Sequence, residues 1–151
     1  LPPLQTDSPR PDAGAEIVFH GRVRSSEKDR DIVALHYEQY QGMAQRELET
    51  LAGECVERFD LLDLTCVHRV DDVAVGEPSL RVVIRSRHRS EGVKGLDWFI
   101  RELKTRVPIW KWGVTGDGTM ALFLGVMTSN TLEGGQAMQC FRIFLGMAST
   151  S

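Results

Sequence analysis

The run from Arg81 to Lys111, RVVIRSRHRSEGVKGLDWFIRELKTRVPIWK, constrains the fold more than any other part of the chain. It begins inside a strand-like segment over 79–87, rich in β-branched residues. Helical spacing takes over from Ser90 to Arg106, with Ser90 suited to the N-cap. Val93, Leu96, Ile100, Leu103 and Val107 are then the expected buried stripe. Pro108 stops that helix, because proline lacks the N–H a further turn requires, and IWKWGV resumes a strand. Strand, helix and strand follow one another within thirty-one residues, so the helix must pack on the sheet its neighbours build.

The same run holds nine Lys or Arg against Glu91, Asp97 and Glu102, whereas the whole chain carries −3. Cations gathered in this way repel one another unless acids or a ligand compensate them, so the run points to an anion site. A solvated basic face is the alternative reading of charge alone.

Upstream, Glu16–Phe19 is a short apolar run leading into a basic, polar loop, HGRVRSSEKDRD, with Gly21 as its hinge. Ile32–Tyr40 alternates as a strand, with Val33, Leu35 and Tyr37 on one face. Between Met43 and Phe59 the residues Ala44, Leu48, Leu51, Ala52, Cys55, Val56 and Phe59 recur at three and four. That spacing predicts an amphipathic helix with Glu47, Glu49, Glu54 and Glu57 facing water. Leu61–His68 reads as a further strand, and VDDVAVGEP as turn chemistry around Gly76 and Pro78. The order β, β, α, β, β, α, β predicts an α+β fold with two main helices on a mixed or antiparallel sheet. After Trp112 the composition shifts: residues 112–151 hold only Asp117, Glu133 and Arg142 as charged groups. They also include two apolar runs, ALFLGVM and CFRIFLGM, read as two short strands or as a strand and an interface segment. The expected division is an extended proline-rich arm over 1–13, one domain over 14–127 and a separate segment over 128–151.

Length and composition exclude several classes. At 151 residues the chain is one domain, able to bury roughly two-thirds of its unfolded surface. A pI of 5.8 argues against general nucleic-acid binding. No 18-residue apolar stretch is present to span a membrane, and the N-terminal residues do not read as a signal peptide. Cys55, Cys66 and Cys140 are widely spaced and form no metal-ligand pattern, so reduced core thiols and no metal are expected, and with them a cytosolic setting.

Three blocks stand out: Phe19-His-Gly-Arg-Val-Arg24, then Leu35-His-Tyr-Glu-Gln-Tyr-Gln-Gly-Met-Ala44, and finally His88-Arg89 followed by Lys104-Thr-Arg-Val-Pro-Ile-Trp-Lys111. Together they resemble the MoaE family, the large subunit of molybdopterin synthase. His68-Arg69-Val70 and Val75-Gly76-Glu77 sit where the family has similar short motifs. The resemblance implies an α/β hammerhead fold and no cofactor. It implies sulfur transfer to a cyclic pyranopterin monophosphate, precursor Z, from the C-terminal Gly-Gly thiocarboxylate of a ubiquitin-like small subunit. It further implies a dimer of large subunits. By the same resemblance Lys104 is the catalytic lysine and Lys111 flanks it. Arg24, His88 and Arg89 grip phosphate and pterin, and Phe19 packs where the partner's tail enters. The chemistry agrees: a donor that brings its own sulfur needs no cysteine nucleophile, and anionic groups call for Arg and Lys. A lysine buried in such a site would also be tunable as an acid or base. His68 reads as structural, Trp98, Phe99 and Trp110 as core, and Arg85, Arg87, Lys94, Arg101 and Arg106 as solvated.

The chain departs from the family after Lys111, where Trp112-Gly113 stands in place of a variable residue and a glutamate. Arg142 is the only basic residue beyond that point. Two function classes therefore stay open: the synthase subunit, and a non-catalytic MoaE-like module that binds the ubiquitin-like partner. A plain anion or nucleotide binder ranks last, because no Gly-rich phosphate loop occurs.

Overall fold

The computed structural model describes residues 1–4, 10–40, 42–124 and 140–146. Among the described residues there are two antiparallel four-stranded sheets, one short hairpin and two helices. The first sheet has the order β1 (Ala15–Arg22), β7 (Pro78–Ser86), β5 (Asp63–Arg69), β10 (Cys140–Gly146). The second runs β6 (Asp71–Ala74), β4 (Ala34–Gln39), β8 (Ile109–Val114), β9 (Met120–Leu124). β2 (Ser26–Glu27) and β3 (Arg30–Asp31) pair only with each other. The α+β expectation holds, and every pairing is antiparallel.

Helix α1 (Met43–Arg58) buries Ala44, Leu48, Leu51, Ala52, Cys55 and Val56, the face its spacing predicts. Helix α2 (Arg89–Arg106) departs from expectation in phase. Its buried residues are Gly92, Gly95, Phe99 and Leu103, while Val93 is 52% exposed and Leu96 and Ile100 are only partly covered. His88, not Ser90, is the N-cap residue, and no side chain caps that end. The rotation follows from the two glycines. The Cys55 thiol donates to the Gly95 carbonyl at 3.4 Å, so α1 and α2 meet where one of them lacks a side chain. At Gly92 an added Cβ would lie 2.7 Å from Ser86 Oγ and 2.9 Å from Ile17 Cδ1. Close approach of α2 to β1 and β7 therefore sets which face is buried.

Phe99, Leu48, Leu51, Leu64, Val82 and Ile84 form the centre of the core between the helices and the first sheet. Trp98 is partly buried against that core and Trp110 is half-buried, so of these aromatic residues Phe99 alone is fully enclosed. Strand β6 occupies the stretch read as a turn, with Asp71 and Gly76 taking the positive-φ positions at its ends. Val33 precedes β4 and stands exposed, whereas Leu35 and Tyr37 point inward as expected. The apolar runs after Gly118 contain β9 and β10, which pair with β8 and β5 respectively. The rest of the 128–151 segment, and residues 5–9 of the proline-rich arm, lie outside the described residues. At the arm's ends, Arg81 donates to the Pro2 carbonyl at 2.6 Å and Arg10 to Asp63 at 3.0 Å.

Candidate active-site pocket

A cleft of about 480 Å³ opens where the end of β1, the start of β7, the β4–β8 pair and the last turns of α2 converge. Each element delivers its residues for a local reason. β1 and β7 stay in register as far as Gly21, where the pairing shifts and the chain turns away from the sheet. Phe19 sits on the regular part, and Arg24 lies just past the shift, beyond the buried anchor Val23. Lys104 comes from the last turn of α2, where a cation suits the helix dipole. Buried Pro108 then ends the helix and starts β8, which carries Lys111 into the same space.

The pocket thus brings together Phe19, Arg24, Lys104 and Lys111, which lie far apart in sequence. It does not include His88 or Arg89. Both are exposed at the opposite end of α2, and fifteen residues of helix at ~1.5 Å each separate Arg89 from Lys104 by about 22 Å. Lys104 is exposed rather than buried.

Three features of the cleft were given no role in it by the sequence. The first is Glu27, on the short hairpin, which pairs with Lys111 Nζ through Oε1 and with Arg24 through Oε2 at 3.4 Å. Burial pushes the Glu27 carboxyl up, but the bonds and charges of Lys111 and Arg24 outweigh it and hold the group below the usual carboxylate range. The second is a polar floor. Tyr37 donates to Ser79 Oγ at 3.1 Å, Ser79 reaches the Gly21 carbonyl at 3.4 Å, and the His68 ring lies edge-on to Tyr37. Desolvation lowers His68 to about 4 although the Arg69 carbonyl favours its protonated form, so His68 is neutral near pH 7. Burial also raises the Tyr37 hydroxyl, partly offset by Ser79. The third is His20, held below its ordinary value by burial and by Arg81 and Arg22. Its Nε2 accepts from Arg81 Nε at 3.0 Å, which requires that nitrogen to be unprotonated.

Charge in the lining is one-sided: Arg22, Arg24, Lys104 and Lys111 against Glu27. Such a cleft favours an anionic ligand with an apolar or aromatic portion set against Phe19, Leu35 and Leu80. Among the described residues no group of three or more His, Cys, Asp or Glu converges as a metal site, and no helix is long and apolar enough to cross a membrane. Cys55 and Cys66 are free and buried, and burial alone raises the Cys55 thiol to about 12 and the Cys66 thiol further. Neither thiol is an available nucleophile. All four arginines expected to be solvated are paired: Arg87 with Asp60 at 3.4 Å and Arg101 with Asp97 at exposed sites, and two others in more covered ones. Arg85 reaches Glu16 at 2.8 Å and Asp63 at 3.6 Å, and Arg106 grips Glu54 with two bonds.

Similarity to known proteins agrees with this geometry. A family model described as MoaE protein matches residues 3–106. The molybdopterin synthase catalytic subunit of Pyrococcus abyssi is 37% identical over 105 residues, covering 70% of this chain and 71% of the relative. That of Thermoplasma volcanium is 36% identical over 109 residues, covering 72% and 80%. Among solved structures, molybdopterin synthase from Staphylococcus aureus superposes with a TM-score of 0.67 at 29% identity, covering 77% of this chain and 88% of that one. A complex of subunits 1 and 2 of molybdopterin-converting factor from Helicobacter pylori shares the fold, with a TM-score of 0.61 at 24% identity over 74% and 72%. From the convergence of its motifs in one cationic cleft and from these matches, the chain belongs to the MoaE family.

Proposed function

We propose that this chain is the catalytic subunit of a molybdopterin synthase. It moves sulfur from the thiocarboxylated C-terminus of a ubiquitin-like small subunit to precursor Z, forming the dithiolene of molybdopterin. The observation that carries this reading is the meeting of Lys104, Lys111 and Arg24 in one cleft, in a chain whose relatives are synthase catalytic subunits. Phe19 and the apolar wall would seat the extended Gly-Gly tail, and the cations would hold the substrate phosphate. Lys104 would place an ammonium beside the thiocarboxylate carbonyl, where negative charge develops as sulfur leaves or a nucleophile adds. The sulfur belongs to the donor, so two buried, unreactive thiols are no obstacle.

The reading includes residues 14–127 as the catalytic unit, a homodimer and a cytoplasmic setting. His88 and Arg89 stand too far from their own pocket to share its ligand, so their part in substrate binding requires a second copy. Absence of the acid two residues after Lys111 favours the rival reading, a partner-binding module without turnover.

The test mixes this chain, a thiocarboxylated small subunit and the pyranopterin monophosphate in a single turnover, and detects dithiolene as its fluorescent oxidation product. Product that depends on all three components supports the synthase. Small subunit bound without product makes the chain a binding module.

A further inference from the structure

We propose that Glu27 is a resident carboxylate occupying the anion site of the pocket, so that the acidic group of a ligand enters by exchanging with it. This makes Glu27 a determinant of which anions the cleft accepts. It deepens the proposed function and rests on the pocket being the substrate's anion site.

Four observations carry the inference. The two oxygens of Glu27 each take a different cation, Lys111 and Arg24, the pair assigned to an incoming anion. Its side chain is 12% exposed and that of Lys111 20%, against 79% for Arg24, so the carboxylate lies inside the cleft and not on its rim. Among the described residues lining the cleft, Glu27 is also the only acid. An anionic ligand held by Lys111 and Arg24 would need the space and the charge position that this carboxylate fills.

The fourth observation concerns how the carboxylate could leave. Its hairpin has two residues per strand and pairs with neither large sheet. The turn residues Lys28 and Asp29 sit at φ 48° and 62°. This left-handed turn suits glycine or asparagine, and most side chains adopt it at a cost. The base of the hairpin is fixed by buried Val23 and Ile32, with Val23 N–H bonded to the Glu77 carbonyl at 3.0 Å. A hairpin with two-residue strands outside both large sheets is a small unit to displace, and the ion pair to Lys111 is one of the contacts that fix where its carboxylate sits.

Sulfate tests this without sulfur transfer, since it keeps its charge across the working pH range. Its affinity is measured by calorimetry at low ionic strength for the full chain and for Glu27→Gln, which keeps the shape and removes the charge. We expect Glu27→Gln to bind sulfate roughly tenfold more tightly, with the gain shrinking as salt rises. Adding Lys111→Ala should abolish the gain. In the unaltered protein, saturating sulfate should speed amide exchange over 26–30, because the hairpin loses its ion pair to Lys111. Equal or weaker binding by Glu27→Gln, no binding by either protein, a gain that survives Lys111→Ala, or slowed exchange in the hairpin each overturns the proposal. The three-component turnover assay is independent of these readouts, so failure here is distinguishable from failure of the synthase reading.

Discussion

The neutral histidine beneath the pocket has a measurable consequence for stability. His68 is 5% exposed and its pKa falls from 6.5 to about 4, principally through desolvation. The shift is downward, so the group leaves stability unaffected where both states are neutral. As pH falls below 6.5 the unfolded chain takes up a proton that the folded chain refuses, and stability is lost until about pH 4. Across that interval, at about 1.4 kcal/mol per pH unit, the loss amounts to about 3 kcal/mol. Urea melts at pH 7 and pH 4 on the full chain and on His68→Gln isolate it. Glutamine retains a donor for the Arg69 carbonyl, and its stability does not depend on this proton. Other groups with lowered values, such as Glu27, Glu54 and Asp12, are common to both proteins and cancel in the difference. The unaltered chain should lose about 3 kcal/mol more than the variant between the two pH values. Parallel losses would refute the claim that His68 is held neutral, and would add a cation to the pocket floor.

Three further outcomes are expected. Gly92→Ala should destabilise the chain by about 1–2 kcal/mol in thermal or urea unfolding, since the clash with Ser86 and Ile17 exceeds the ~1 kcal/mol that alanine adds to a helix. In a Cys140→Ser background, Cys55 and Cys66 should resist a thiol-specific chromogenic reagent until the protein unfolds, because both are enclosed and burial raises both thiols. Arg85→Ala should cost about 1–3 kcal/mol, read from the urea midpoint, because it strips a partner from Asp63, whose side chain is 3% exposed. An unchanged midpoint would mean that Arg10 alone satisfies that carboxylate.

Elements whose burial is carried by apolar side chains were legible in the sequence, and those built on glycine or on distant partners were not. Helix α1 buries a single face of alanine, leucine, cysteine and valine, so its spacing states its orientation. Helix α2 instead turns Gly92 and Gly95 inward, and a hydrophobic pattern cannot register a contact made by a missing side chain. The same limit explains the exposed Val93. Strand β6 was not legible because a four-residue strand that begins at positive-φ Asp71 and is followed closely by Gly76 has the composition of a turn. In the site, Phe19, Arg24, Lys104 and Lys111 were found by their motifs and do converge. Glu27 sits in a polar loop beside Asp29 and Asp31 and meets Lys111 across 84 positions of sequence, so nothing local distinguishes it from a solvated acid. His88 and Arg89 share a motif with Lys104 but not a place, because the intervening helix carries them to its other end.

The most direct test of the account is the single-turnover rate of Lys104→Ala, measured with the affinity for the small subunit. Lys104 is exposed on the last turn of α2, so its removal leaves the core untouched. The account predicts a rate lower by about 100-fold or more, with partner affinity within about twofold of the unaltered chain. Full turnover by Lys104→Ala, with the partner bound as before, would contradict it and move the chemistry to another residue of the cleft.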